Sequence, residues 1–460
     1  MNILSDYDAF IAGKAHLGGS AGFKPVFLPD FLFDFQRSLV TWAIEKGRCA
    51  LFEDCGLGKT PQMLVWSQNV VERTNRPVLI ITPLGVSRQT VKEGTKFGIE
   101  AVQRRDGLKA GDKIVVTNYE KLHLFNPSDF AGCVCDESSI LKNFDGVTRA
   151  AIIDFMRKLP FRLLASATPS PNDPIELGNS SEAIGEMGFS DMLGLFFKKV
   201  EKTLSRKDEH RGGVYRLRGH AKQDFWRWVC SWARAVRKPS DLGFDDGKFL
   251  LPELTIREHI VAAKTKADGF LLDLPATSLW EQRDELKRTV TERCEMAAQL
   301  VNSHKAPSIA WCHLNREGDL LAKICEGAKQ VSGDDSDEKK EEIFEAFTAG
   351  QVRVLVSKPS IAALGLNFQH CAHQTYFPSH SYEAAYQGIR RSWRFGQKNP
   401  VTIDFISTEG QANVLANLKR KSEAADHMFT RLVELMSDEL RMQKTHSATQ
   451  SIQLPSFLNR

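Results

Sequence analysis

A chain of 460 residues with a formal charge of +4 has room for two or three domains and is too nearly neutral to be a wholly cationic nucleic-acid binder. Its 9 cysteines are odd in number and include no Cys-x-x-Cys pair, which argues against a disulfide or zinc framework and for a reducing compartment. No apolar run reaches membrane-spanning length, and Met1–Gly19 holds no basic leader before an apolar core, so the expectation is a cytoplasmic protein without a membrane partner.

In chain order, short apolar runs at 78–83, 114–120, 133–137 and 162–169 each end in polar or glycine residues. Helix-like segments at 62–74 and 148–159 lie among them. Buried strands alternating with helices predict a parallel α/β sheet. The stretch 198–238 reads differently: it is rich in Lys and Arg and contains "FWRWVCSW". It is either a solvated connecting helix or, as the charge with aromatics favours, a surface that meets a polyphosphate backbone. Strand-like runs return at 308–315, 352–358, 373–379 and 401–408, with helices predicted at 317–325 and 338–347. The fold expectation is therefore α/β, with two parallel-sheet lobes joined by a helical, basic bridge. Helical pattern fades after about Gln443, which suggests a loosely held tail.

Three stretches carry chemistry. The first, "ALFEDCGLGKTPQ" (50–62), ends like a phosphate-binding loop, although Glu53 stands where the strict pattern has glycine. Gly56 and Gly58 permit a tight turn that aims backbone N–H groups at phosphate, and Lys59 and Thr60 supply an ammonium and a magnesium-binding hydroxyl. Pro61 is tolerated in a first helical turn. The second is Asp136-Glu137, two acids closing a buried strand, a costly arrangement without a cation. Asp136 is the candidate magnesium ligand and Glu137 the group that orients or deprotonates a nucleophile. The third is "QGIRRSWRFGQ" (387–397), in which Arg391 and Arg394 share one face if the segment is helical and offer permanent positive charge to phosphate oxygens.

In motif order and spacing, from about Phe31 to Gly410, the chain resembles the Swi/Snf-type ATPases of helicase superfamily two, in a minimal form like bacterial or phage versions. Residues 53–60 match the family's D-E-x-G-x-G-K-T, so an acid at Glu53 is normal for this branch. "DESSILKN" (136–143) resembles D-E-A-H-x-I-K-N, and "SATPSPN" (166–172) resembles T-G-T-P-x-x-N. "GLNFQ" (365–369) resembles G-L-G-I-N-L, and "RRSWRFGQ" (390–397) resembles D-R-A-H-R-I-G-Q. Departures fall at Pro171, at His380-Ser381-Tyr382 and at Trp393.

The resemblance implies two RecA-like lobes with ATP and Mg2+ in the cleft. Gln36 would read the adenine, with Gly365 and Gln387 joining the nucleotide site. Arg391 and Arg394 would act as arginine fingers. Pro83, Thr117, Asn118 and Ser357 would approach double-stranded DNA. The domain expectation is an N-terminal segment 1–25, a first lobe 26–197, a bridge 198–255, a second lobe 256–430 and a tail 431–460. The function expected is DNA-dependent ATP hydrolysis coupled to translocation on duplex DNA, in bacterial cytoplasm or as a phage protein in a host. The alternatives are a strand-separating helicase on single-stranded or forked DNA, a motor subunit with a nuclease or methyltransferase partner, and, last, a non-catalytic DNA-binding module. Two tempting features take bland readings: His370, His373 and His380 as a metal site, and "GDDSDEKKEE" (333–342), which more simply starts a helix with acids at its positive end.

Overall fold

The computed structural model describes residues 21–83, 85–142, 146–170, 172–200, 214–262, 279–362 and 366–449. In chain order its strands are β1 Arg48–Glu53, β2 Val78–Thr82, β3 Val102–Gln103, β4 Ile114–Asn118, β5 Gly132–Asp136, β6 Phe161–Ser166, β7 Phe197–Val200 and β8 Val214–Leu217. There follow β9 Ala233–Val236, β10 Leu254–Val261, β11 Ser308–Trp311, β12 Ala328–Val331, β13 Val354–Ser357, β14 His373–Tyr376 and β15 Val401–Thr408.

Seven strands build the first sheet in the order β3-β4-β2-β5-β6-β1-β9, all pairs parallel. Six build the second in the order β10-β15-β14-β11-β13-β12, again all parallel. β2, β4 and β5 are buried at every position. That is why they read as unbroken apolar runs rather than alternating ones: helices cover both faces. The second sheet shows the two faces directly. Ile309 and Trp311 pack into one core with Phe347, Phe368 and Tyr376, while Ala310 and Cys312 pack into another with Cys294, Val301 and Leu321. This is the α/β, two-lobed RecA-like architecture expected.

The segment expected as a separate bridge belongs largely to the first lobe. β9 pairs in parallel with β1, from Ala50↔Ala233 to Glu53↔Val236. The helix Lys222–Trp232 before it sends Trp226, Trp228 and Trp232 into the first core, where Trp232 is fully buried. These tryptophans are core residues, not a platform for a polyphosphate chain. Residues 201–213 of the same stretch lie outside the described residues.

The end of the chain also differs from expectation. One helix, Ala412–Thr449, runs through the proposed tail boundary. Leu415 and Leu418 pack in the second lobe, whereas Met428, Phe429, Leu432 and Met436 pack in the first. Twenty-odd residues of helix cover about 30 Å, enough to cross from one lobe to the other. Arg237 of the first lobe braces this crossing, 4.9 Å from the Phe429 ring centre and 2.9 Å from Asp426.

Parallel strands put their carboxyl ends on one edge. The loops after β1, β5 and β6 therefore open together, the place where such sheets bind ligands. Among the described residues, no helix is long and apolar enough to cross a membrane.

Candidate active site

The loop after β1 owes its shape to its glycines. Gly56 has φ 90° and Gly58 φ 79°. A Cβ at Gly58 would sit 2.4 Å from Gln36 Nε2, and one at Gly56 would sit 3.0 Å from the Phe395 backbone nitrogen across the cleft. Gly58 is the left-handed cap of the helix Lys59–Thr74, which stops at Asn75, also left-handed. Gln36 lies behind this loop. It donates to the Leu57 carbonyl at 2.7 Å and accepts from the Phe33 N–H at 3.1 Å. Its side chain is thus committed to holding the loop, and it does not line the cavity described below.

Glu53 turns away from the site. It is fully buried and accepts from Gln62 Nε2 at 2.7 Å, tying the end of β1 to the first turn of the following helix. Burial lifts its carboxyl to about 7, against the pull of Lys59 and the Gln62 hydrogen bond. The acid where the strict loop has glycine is therefore an internal brace. Lys59 Nζ donates to the backbone carbonyls of Glu53 at 2.9 Å and Asp54 at 3.3 Å.

Asp136 and Glu137 close β5 as expected. Asp136 is buried, and burial first, then repulsion from Glu137, raises it to about 7, with Lys59 opposing. Glu137 has φ 50°, a left-handed conformation uncommon for a residue other than glycine. Its N–H donates to Asp136 Oδ1 at 3.0 Å, and Tyr119 donates its hydroxyl to the Asp136 carbonyl. Glu137 Oε2 is buried and, among the described residues, has no hydrogen-bond partner.

The second lobe supplies the opposite wall. The helix Tyr382–Ile389 ends before the arginines, so Arg391 and Arg394 are not successive turns of one helix. A shared acceptor aligns them instead: Arg391 Nη1 and Arg394 Nη1 donate to the Leu366 carbonyl at 2.9 and 3.2 Å. Burial, then repulsion from Arg391, lowers Arg394 to about 10.

These groups meet. Gly56, Gly58, Lys59, Thr60, Asp136 and Glu137 from one lobe and Arg391 and Arg394 from the other line a single cavity of about 140 Å³. It is sized for phosphate groups rather than a whole nucleotide. Glu93 and Gln89, from the helix Ser87–Lys96, also line it and bond to each other at 3.2 Å. Sequence reasoning missed them, and only their four-residue spacing marked a common face.

The other expected residues fall elsewhere. Gly365 lies outside the described residues. Gln387 is buried, and its carbonyl accepts from Arg391 Nε at 3.2 Å, but it does not line the cavity. Pro83, Thr117, Asn118 and Ser357 stand at carboxyl ends of strands or just beyond, and all four are buried. Ser357 Oγ is spent on the Val331 carbonyl at 3.0 Å. Their side chains offer no surface to DNA in this lobe arrangement. His373 bonds Asp404 at 2.8 Å, while His380 faces Asn417, so the three histidines do not converge. Ser336 caps the helix Asp337–Thr348, which accounts for the acidic run.

A magnesium ion fits the donor set. Among the described residues no cluster of three or more His, Cys, Asp or Glu could hold a metal alone. Thr60 and Asp136 give one hydroxyl and one carboxylate, and such an ion takes its remaining oxygens from phosphate and water.

No family model matches the chain. It is 26% identical over 189 residues to the mouse (Mus musculus) "DNA annealing helicase and endonuclease ZRANB3", covering 36% of this chain and 18% of that one. It is 27% identical over 158 residues to "DNA repair and recombination protein RAD54-like" of Drosophila willistoni, covering 28% of this chain and 20% of that one. In sequence the chain is similar to these two proteins over about a third of its length. The match spans only about a fifth of the length of these relatives. In solved structures, S. cerevisiae dbp5 in its gle1-bound form shares the fold at a TM-score of 0.51 and 11% identity, over 88% of this chain and 92% of that one. That likeness is one of fold.

Proposed function

We propose that the chain is a DNA-dependent ATPase that couples hydrolysis to movement along double-stranded DNA. One observation carries the reading: an ammonium, a hydroxyl and the Asp136–Glu137 pair from one lobe and two guanidinium groups from the other line the same cavity. No single lobe holds the whole set, so turnover would depend on closure.

In this reading the Gly56–Gly58 turn and Lys59 hold the β- and γ-phosphates. Thr60 and Asp136 would hold magnesium, which supplies charge neutralisation to the phosphate oxygens. Glu137, with its unpartnered oxygen, positions a water and takes its proton as the water oxygen bonds to the γ-phosphorus. The bond between that phosphorus and the bridging oxygen breaks, leaving ADP and phosphate. Arg391 and Arg394 stabilise the charge spread over the transferring group. The base would need the lobes to part, because the cavity has no room for it and Gln36 is engaged with the loop.

DNA as the activator is supported by the relatives, one named as a DNA annealing helicase and the other as a DNA repair and recombination protein. ATP as the substrate is supported by the site and by the S. cerevisiae Dbp5 complex with RNA and ADP BeF3, which shares the fold at a TM-score of 0.50 and 12% identity. The test is ATP turnover with and without duplex DNA. Turnover should rise sharply with DNA and vanish in Lys59→Ala and Glu137→Gln. Equal turnover with and without DNA rejects the motor.

A further inference from the structure

Asp54, the residue that leaves β1, is held twice. Its backbone carbonyl accepts from Lys59 Nζ at 3.3 Å, and its N–H donates to the Val236 carbonyl at 2.9 Å. Its side chain is held by the other lobe: Oδ2 accepts from Arg390 Nη2, and Oδ1 accepts from the Tyr386 hydroxyl as well as from the Cys55 N–H at 2.6 Å. Arg390 and Asp54 are both buried at the lobe boundary. The Arg390 guanidinium lies 4.3 Å from the Trp393 ring centre and 5.5 Å from that of Tyr386, and Nη1 donates to the Trp393 carbonyl at 3.3 Å.

We propose that Arg390 and Tyr386 are positioning residues: by gripping the Asp54 carboxylate from the second lobe, they set the phosphate loop and its Lys59 anchor in the register that hydrolysis requires. The inference rests on the ATPase reading above. Neither residue lines the phosphate cavity, so neither touches the reacting groups. The motif that this stretch resembles opens with an acid where the chain carries Arg390, so the pairing with Asp54 is a feature of this chain. A buried ion pair adds little net stability, because desolvation offsets the attraction. Losing one partner is costly, because the other is left charged and dry. Such a pair selects one lobe register over its neighbours. The Arg88–Glu341 pair, also between lobes, is about half exposed on both sides and discriminates far less.

The test compares Arg390→Gln, Arg390→Lys, Tyr386→Phe and Asp54→Asn in the full chain. Turnover in saturating ATP and duplex DNA should fall roughly tenfold or more in R390Q, with KM for ATP changed by less than about threefold. R390K should recover part of the loss. In a D54N background, R390Q should cost less than about twofold more, because the partner is already gone. Small-angle scattering of the nucleotide-free protein should show a larger radius of gyration for R390Q than for the wild type. A kcat within twofold of wild type, or effects that multiply in the double variant, overturns the proposal. If the wild type hydrolyses no ATP, the ATPase reading fails, and the scattering arm still judges the grip: an unchanged radius in R390Q refutes it. Should R390Q not fold by circular dichroism, Y386F, which loses one hydroxyl, carries the same comparisons.

Discussion

Glu53→Gln isolates one buried ionisation. Glu53 is fully buried, and its carboxyl is raised from its ordinary value of 4.5 to about 7 by burial. An acid raised on folding binds its proton more tightly in the folded state. Its contribution to stability is therefore complete below pH 4.5 and is lost as pH rises through 7. The rise is worth about 3 kcal/mol at 1.36 kcal/mol per pH unit. Gln keeps an oxygen for the Gln62 donor but brings an amide N–H₂ to a place where, among the described residues, Glu53 Oε1 has no partner, a fixed cost of about 1–3 kcal/mol. That cost does not vary with pH. The stability difference between variant and wild type should accordingly shift by about 2.5 kcal/mol in favour of Gln between pH 5 and pH 8. Urea unfolding at several pH values measures it. Trp66 and Trp232 report the first lobe, where Glu53 sits. A difference that stays flat across that range would show that the carboxyl keeps an ordinary pKa, and the internal-brace account of Glu53 would fall.

Asp136 is raised to about 7 as well, so a proton would compete with the magnesium proposed there. Magnesium affinity in the presence of ATP should climb between pH 6 and pH 8 in the wild type and stay nearly level in Asp136→Asn, read by titration calorimetry. If Arg394 serves the transition state as proposed, Arg394→Gln lowers kcat by about a thousandfold with ATP affinity little changed; single-turnover kinetics separate the two. Phe429→Ala empties part of the seat of the long C-terminal helix in the first lobe and should cost about 3–5 kcal/mol, seen as a lower first-lobe transition in thermal unfolding.

Much of this was legible because it is local. The run 401–408 matches β15 at both ends, and the helices predicted at 62–74 and 317–325 lie within or close to Lys59–Thr74 and Asn315–Ile324. The glycines of the loop, the paired acids and the two arginines sit in contiguous motifs whose residue types announce their chemistry, and they share a cavity. What escaped depends on partners far along the chain. Four residues, "ARAV", become β9 only because β1 lies beside them. The tryptophans of "FWRWVCSW" read as a surface among so many basic residues, yet the helix turns them inward. Gln36 has the same letter whether it faces a base or a loop carbonyl. The Asp54–Arg390 contact joins residues that no spacing rule connects.

The helix Ala412–Thr449 would set a mechanical limit on the motor proposed above. A stiff rod socketed at Leu415 and Leu418 in one body and at Met428–Met436 in the other resists stretching. The lobes cannot simply drift apart on a slack tether. They can roll about the rod, or they can unseat four apolar side chains. If the proposed translocation holds, each stride must be short enough for the first, or forceful enough for the second.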